Sequence, residues 1–206
     1  MSQFFRIHPV TPQPRLIQQA AAIVRDGGVI AYPTDSCYAL GSAVGNKAGM
    51  ERIVRIRSMD SKHFFTLICR DLSELTQYAM VDTPVYRLLK ANTPGPYAFV
   101  LAATREAPRR LRDPRRRTIG LRVPDHRITQ DLLAELDAPM MTSSLILPGD
   151  EEPLNDPEEI RTRLERELDL IIDGGPCHLK PTTLVDLTED VPRVLRVGMG
   201  DPAPFR

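Results

Sequence analysis

Apolar positions recur along this chain first at helical and then at alternating spacing, and the switches between the two divide it into helices and strands. From Pro14, the residues Leu16, Ile17, Ala20, Ile23 and Val24 fall on one helix face, and Gly27-Gly28 ends the helix. Val29 to Tyr32 then reads as a buried strand, and the chain leaves it through the polar run Pro33-Thr34-Asp35-Ser36. Strand exits of this kind are common ligand positions in α/β proteins. A second helix is predicted over about Lys47 to Arg57, with Met50, Ile53 and Val54 inward, and a strand over Phe64 to Cys69. Asp71 with Glu74 forms a capping-box pattern, and Thr83-Pro84 reads as a cap followed by proline at the first helical position.

Thr93 to Pro96 is a turn, with strand composition after it in Tyr97 to Leu101. Thr118 to Val123 and Met140 to Ser144 read as further strands, the latter ending in hydroxyls, with an amphipathic helix over Ile128 to Leu136 between them. Asp156-Pro157-Glu158-Glu159 starts a helix carrying Ile160, Leu164 and Leu168 on one face. Leu170 to Ile172, Thr183 to Asp186 and Val194 to Val197 supply the last strands. Several strands follow one another without a helix, which predicts a mixed rather than all-parallel sheet flanked by helices. No repeat or linker interrupts the pattern, so residues 1–206 read as a single α/β domain.

Composition narrows the class. The chain has 206 residues, 42% apolar and 26% charged, enough to bury a sizeable core. No apolar run approaches the roughly 18 to 20 residues of a membrane span, and Met1 to Val10 lacks a signal-type core, which predicts a cytoplasmic protein without membrane contact. Cys37, Cys69 and Cys177 are unpaired by spacing and read as small buried or site-lining thiols; no metal site is expected. Net charge is zero, yet Arg105, Arg109, Arg110, Arg112, Arg115, Arg116, Arg117 and Arg122 crowd into eighteen residues. Such a block is either a solvated loop or the footprint of a phosphate-rich partner.

Four polar sets fall at strand or helix ends: Thr34 to Ser36, Arg55 with Arg57, Thr118 with Arg122, and Thr142-Ser143-Ser144. Arg55 and Arg57 point about 200° apart on a continuing helix, so they share a ligand only if the helix ends between them. Ser58-Met59-Asp60 is a plausible place for that end. Paired guanidiniums suit phosphate or carboxylate, whereas the same residues also serve as surface charges at a helix C-terminus. The hydroxyls read either as ligand donors or as local backbone partners. No nucleophile triad, P-loop or dinucleotide fingerprint occurs, so the inventory favours positioning and anion binding over covalent catalysis.

Taken in order, Pro33-Thr34-Asp35-Ser36-Cys37-Tyr38-Ala39-Leu40-Gly41, Arg55-Ile56-Arg57, the turn and strand from Thr93, Thr118 to Pro124, Thr142-Ser143-Ser144, Thr182 to Asp186 and Leu195 to Gly198 form a collinear set. That set resembles the YrdC/YciO family of threonylcarbamoyl-AMP synthase-like proteins, most closely its YciO branch. The resemblance implies a twisted mixed sheet around a positively lined cavity. It also implies a synthase that makes threonylcarbamoyl-adenylate from L-threonine, bicarbonate and ATP with Mg²⁺, for tRNA modification. By that resemblance Thr34 and Ser36 contact the amino acid or phosphate, Arg57 the nucleotide phosphates, Thr118 and Ser143 the nucleotide, and Arg122 the threonine carboxylate. Arg55 and Arg57 are the implied catalytic pair, and Thr182 and Arg196 match two further ligand positions, Thr182 on the substrate side and Arg196 on the nucleotide. This sequence departs from the synthase pattern at Arg55, where that pattern has lysine, at Leu145, where it has asparagine, at Ala39 for glycine and at Cys69 for histidine. A non-catalytic binder of double-stranded RNA or tRNA is the alternative, resting on the same cavity and the arginine run.

Overall fold

The computed structural model describes residues 1–59 and 65–206, and six helices and ten strands lie among them. The helices are α1 Pro14–Arg25, α2 Lys47–Arg57, α3 Leu72–Tyr78, α4 Thr83–Asn92, α5 Arg127–Leu136 and α6 Pro157–Leu164. The strands are β1 Gln3–Arg6, β2 Ile30–Tyr32, β3 Ala39–Ala43, β4 Thr66–Ile68, β5 Tyr97–Ala102, β6 Thr118–Arg122, β7 Met140–Ser144, β8 Leu170–Asp173, β9 Thr183–Asp186 and β10 Arg193–Arg196. All ten join one sheet in the order β1-β8-β2-β3-β7-β4-β6-β5-β9-β10. The sheet is mixed, as the pattern predicted: β8 runs parallel to both β1 and β2, whereas β7 runs antiparallel to β3 and β4.

Helix ends follow local chemistry. Gly27 at φ 90° ends α1, and the Asp71 carboxylate accepts from Glu74 N–H at 2.8 Å while Glu74 returns to Arg70 N–H at 2.7 Å. For α4 the cap is Asp82, accepting from Val85 N–H at 2.9 Å, so the sequence expectation at Thr83 is one residue late. α2 runs unbroken through Arg57 and ends at Ser58, whose left-handed backbone (φ 47°) turns the chain away. The Phe64 end of the strand expected over Phe64 to Cys69, and Asp60 in the expected loop, lie outside the described residues.

Strand alternation sends one set of side chains to each face of the sheet. Ala31, Leu40, Leu67, Phe99, Leu121 and Ile171 pack on one face with apolar residues of α2, α3, α4 and α6. Ile30, Tyr32, Ile68, Met140 and Ile172 pack on the opposite face with α1 and α5. These two helices cover β8, β2, β3 and β7 and the Ile68 end of β4. Beyond them, over β4, β6, β5 and β9, the same face carries Thr66, Thr118, Gly120, Val100 and Leu184, and there a cavity opens.

Candidate functional site

The cavity measures about 350 Å³ and has chemically distinct walls. Ala98, Val100, Leu111, Leu184 and Leu195 make one side apolar, while Thr66, Thr118, Thr142, Ser143, Ser144 and Thr182 supply hydroxyls. Arg57, Arg116 and Arg196 bring three guanidiniums, and Asp113 is the one carboxylate among the described lining residues. An apolar wall with a few convergent polar groups is the usual make-up of a small-ligand site.

Arg57 enters from the last turn of α2. Its Nε donates to Ile146 O at 3.2 Å, and Nη1 donates to the Ser143 hydroxyl, so the half-buried guanidinium is held against the end of β7. Arg196 enters from the edge strand β10 and donates to Thr182 O at 3.2 and 3.0 Å, with Thr182 Oγ1 at 3.3 Å. Burial pulls both guanidiniums below their ordinary pKa, and for Arg57 the neighbouring Arg196 adds to the effect. Two like charges lining one cavity favour an anion between them. Arg116 closes another side by donating at 2.8 Å to Asp186, a buried carboxylate that also accepts from Thr188. Those hydrogen bonds outweigh burial and lower the Asp186 pKa.

A second polar cluster lies behind the cavity, where β2 and β6 end. Arg122 is 5% exposed, and its Nη2 donates to the Asp35 carboxylate, to Ser36 Oγ at 3.1 Å and to Thr34 Oγ1 at 3.3 Å. The other Asp35 oxygen accepts from Asp125 N–H at 2.9 Å. Burial pushes the pKa of the Cys37 thiol up, against the lowering effect of two hydroxyls near it, Ser144 of the cavity and Ser36 of the cluster. One thiol therefore stands between the two clusters. Arg122 Nε and His126 Nδ1 are buried without a hydrogen-bond partner.

Of the residues expected from sequence, the structure brings Arg57, Thr118, Ser143, Thr182 and Arg196 into the cavity. Thr34, Ser36 and Arg122 form the cluster behind it. Arg55 goes elsewhere: because α2 continues through Arg57, Arg55 faces out, its side chain 68% exposed and 3.3 Å from Glu167. The pairing of Arg55 with Arg57 on one ligand is thereby corrected, for the helix geometry that separates them is kept. Leu145 and Cys69 are fully buried in the core, so neither offers the cavity a polar atom. Arg116 and Asp186 emerged only from the fold; Arg116 was visible as one of the arginine run without any mark of its role. Four others of that run, Arg105, Arg109, Arg112 and Arg117, line a groove beside the cavity, with Asp113 shared between groove and cavity. No three His, Cys, Asp or Glu among the described residues converge to hold a metal ion, and no described helix is long and apolar enough to cross a membrane.

The geometry can be set beside known proteins. Residues 22–198 match the family model Sua5/YciO/YrdC, described as "Telomere recombination". YciO of Escherichia coli K12 is 58% identical over the full length of both chains, and the crystal structure of E. coli YciO superposes with a TM-score of 0.97 over both whole chains. The threonylcarbamoyl-AMP synthase of Vibrio vulnificus is 30% identical, covering 88% of this chain and 98% of the synthase. Sua5 of P. abyssi, solved in complex with L-threonine, shares the fold at a TM-score of 0.87 and 24% identity, over 96% of this chain and 58% of its own.

Proposed function

The chain belongs to the Sua5/YciO/YrdC family, and from that premise we propose that its cavity binds an adenine nucleotide by its phosphates and runs a slow threonylcarbamoyl-adenylate synthesis. The observation that carries this reading is that Arg57 and Arg196 line one cavity together with a set of hydroxyls and an apolar wall. The apolar wall suits a base; the guanidiniums suit phosphates, through charge-assisted bonds that also stabilise charge developing at an attacked phosphorus. Thr118 and Ser143 face the same space and serve the nucleotide. Behind Cys37, the buried Arg122 guanidinium with the hydroxyls of Thr34 and Ser36 suits the carboxylate of L-threonine, the amino acid found with P. abyssi Sua5. Thr182, which accepts from Arg196, would serve the substrate. Mg²⁺ would be carried on the triphosphate, since the described residues present no carboxylate cluster for it.

Activity is expected to be low because two positions of the synthase pattern contribute nothing polar here. Arg55 faces solvent and Leu145 is core. The test is incubation with ATP, L-threonine, bicarbonate and Mg²⁺, with AMP and ATP binding followed separately by thermal shift. Nucleotide-dependent stabilisation and slow, threonine-dependent pyrophosphate release are the expected results. Absence of any stabilisation by ATP or AMP overturns the reading.

A second reading, binding of structured RNA, rests on the arginine groove. Among the described residues, the guanidiniums of Arg105, Arg109, Arg112 and Arg117 have no carboxylate partner, and they adjoin the cavity mouth. Binding set by phosphates weakens steeply with salt. A double-stranded RNA affinity that is flat across salt, or unchanged by alanine at Arg105 and Arg109, removes this reading.

A further inference from the structure

Resting on the reading of Arg122 as the amino-acid carboxylate ligand, we propose that Asp35 is a built-in competitor for that carboxylate and makes the Arg122 cluster selective for zwitterionic α-amino acids. Three observations carry this. First, the ion pair is almost wholly enclosed, with 6% and 9% of the Arg122 and Asp35 side chains exposed. Second, the grip is one-sided. Asp35, Thr34 and Ser36 all converge on Nη2, while Nε–H is buried with no acceptor and Nη1 makes no hydrogen bond. A guanidinium offers its N–H groups in parallel pairs, so a carboxylate seated across Nε and Nη2 satisfies the orphaned donor that Asp35 leaves unused. Third, Asp35 has somewhere to stay: its Oδ2 already accepts from the Asp125 amide.

Charge then sets the selectivity. Arg122 and Asp35 together are neutral, so a ligand that adds only a carboxylate leaves one buried negative charge without a partner, which is strongly disfavoured. A ligand carrying an ammonium beside its carboxylate restores the balance: carboxylate to Arg122, ammonium to the displaced Asp35. The exit of β2 thus contributes, through Asp35, the group that tells an amino acid from a simple carboxylic acid. The hydroxyl of Ser36, bonded to the same Nη2, stays in place to receive the incoming carboxylate, whereas Thr34 Oγ1 gives its proton to Cys37 O at 2.6 Å.

The test compares L-threonine with 3-hydroxybutyrate, which lacks the ammonium, by calorimetry on the full chain and on Asp35→Asn. In the unmodified protein threonine is expected to bind at least about tenfold more tightly than 3-hydroxybutyrate; in Asp35→Asn that preference collapses and 3-hydroxybutyrate gains about tenfold. The same preference in both proteins, or no threonine binding in either, overturns the proposal. Should Asp35→Asn fail to fold, the Asp125 amide of the unmodified protein decides: its NMR resonance moves on threonine addition if Asp35 shifts, and an unmoved resonance counts against the proposal. AMP binding measured in parallel speaks to the nucleotide reading alone. Its absence sinks that reading while the threonine comparison still judges Asp35.

Discussion

Arg57 and Arg55 lie two residues apart on one helix, yet the structure assigns them opposite consequences for binding. Arg57 is half-buried and faces the hydroxyls of β7, whereas Arg55 is 68% exposed and pairs with Glu167. A phosphate about 4 Å from a guanidinium interacts by about 4 kcal/mol at an effective dielectric near 20. Desolvation removes part of this, and hydrogen bonds to charged groups typically net about 1.5–3 kcal/mol. Arg57→Gln should therefore weaken AMP binding by roughly 10- to 150-fold. The same change at Arg55 deletes a screened surface ion pair worth at most about 1 kcal/mol to stability, far from any bound phosphate, and should alter AMP affinity by less than about threefold. Calorimetric titration of both variants, with circular dichroism confirming that each is folded, reads the difference directly. Equal losses, or a larger loss at Arg55, would refute the placement of the phosphate beside Arg57.

Other expectations concern the frame that holds the cavity. Asp71→Ala removes the acceptor for Glu74 N–H and should cost about 1 kcal/mol in urea denaturation, with no change in AMP affinity. Phe99→Ala empties a fully buried position stacked on Tyr97 and edge-on to Phe205, and should cost about 3–5 kcal/mol. Asp186 has a folded pKa below its unfolded one, so its contribution is present above the unfolded value near 4 and is lost as pH falls through the folded value. Melting temperatures of Asp186→Asn should accordingly fall less between about pH 4 and pH 2 than those of the unmodified chain, and parallel profiles would contradict this.

Much of the frame could be read from neighbouring residues because the signals are local. The α1 periodicity with its double glycine and the Asp156-Pro157 start of α6 are each written within a few residues. Two strands were not legible. β1 is four residues long and takes its identity from pairing with β8, and β3 lies in the small-residue run Ala39–Ala43, where only its antiparallel partners β2 and β7 define it. The site shows the same division. Thr34, Ser36 and the hydroxyls of β7 announce themselves as strand exits, but the Arg122 to Asp35 and Arg116 to Asp186 pairs join chain segments far apart and leave no periodic trace. For Arg55 and Arg57 the deciding fact was one residue's backbone: the left-handed turn falls at Ser58, after both arginines rather than between them.

The pairing of β1 with β8 also imposes an order in time. Phe4 lies opposite Ile171, so the first strand has no neighbour until 167 further positions have been made. At about 5–20 residues per second that wait is roughly 8–33 s of synthesis, during which the row of open backbone groups on β1 has to be kept from other chains. The cavity obeys the same calendar. Arg57 precedes its partner Ser143 by a long stretch, and the wall made by Thr182 and Arg196 comes later still. A nascent chain can thus lay down most of the sheet before it has a place to hold a nucleotide, and ligand cannot assist its folding until nearly all of it has emerged.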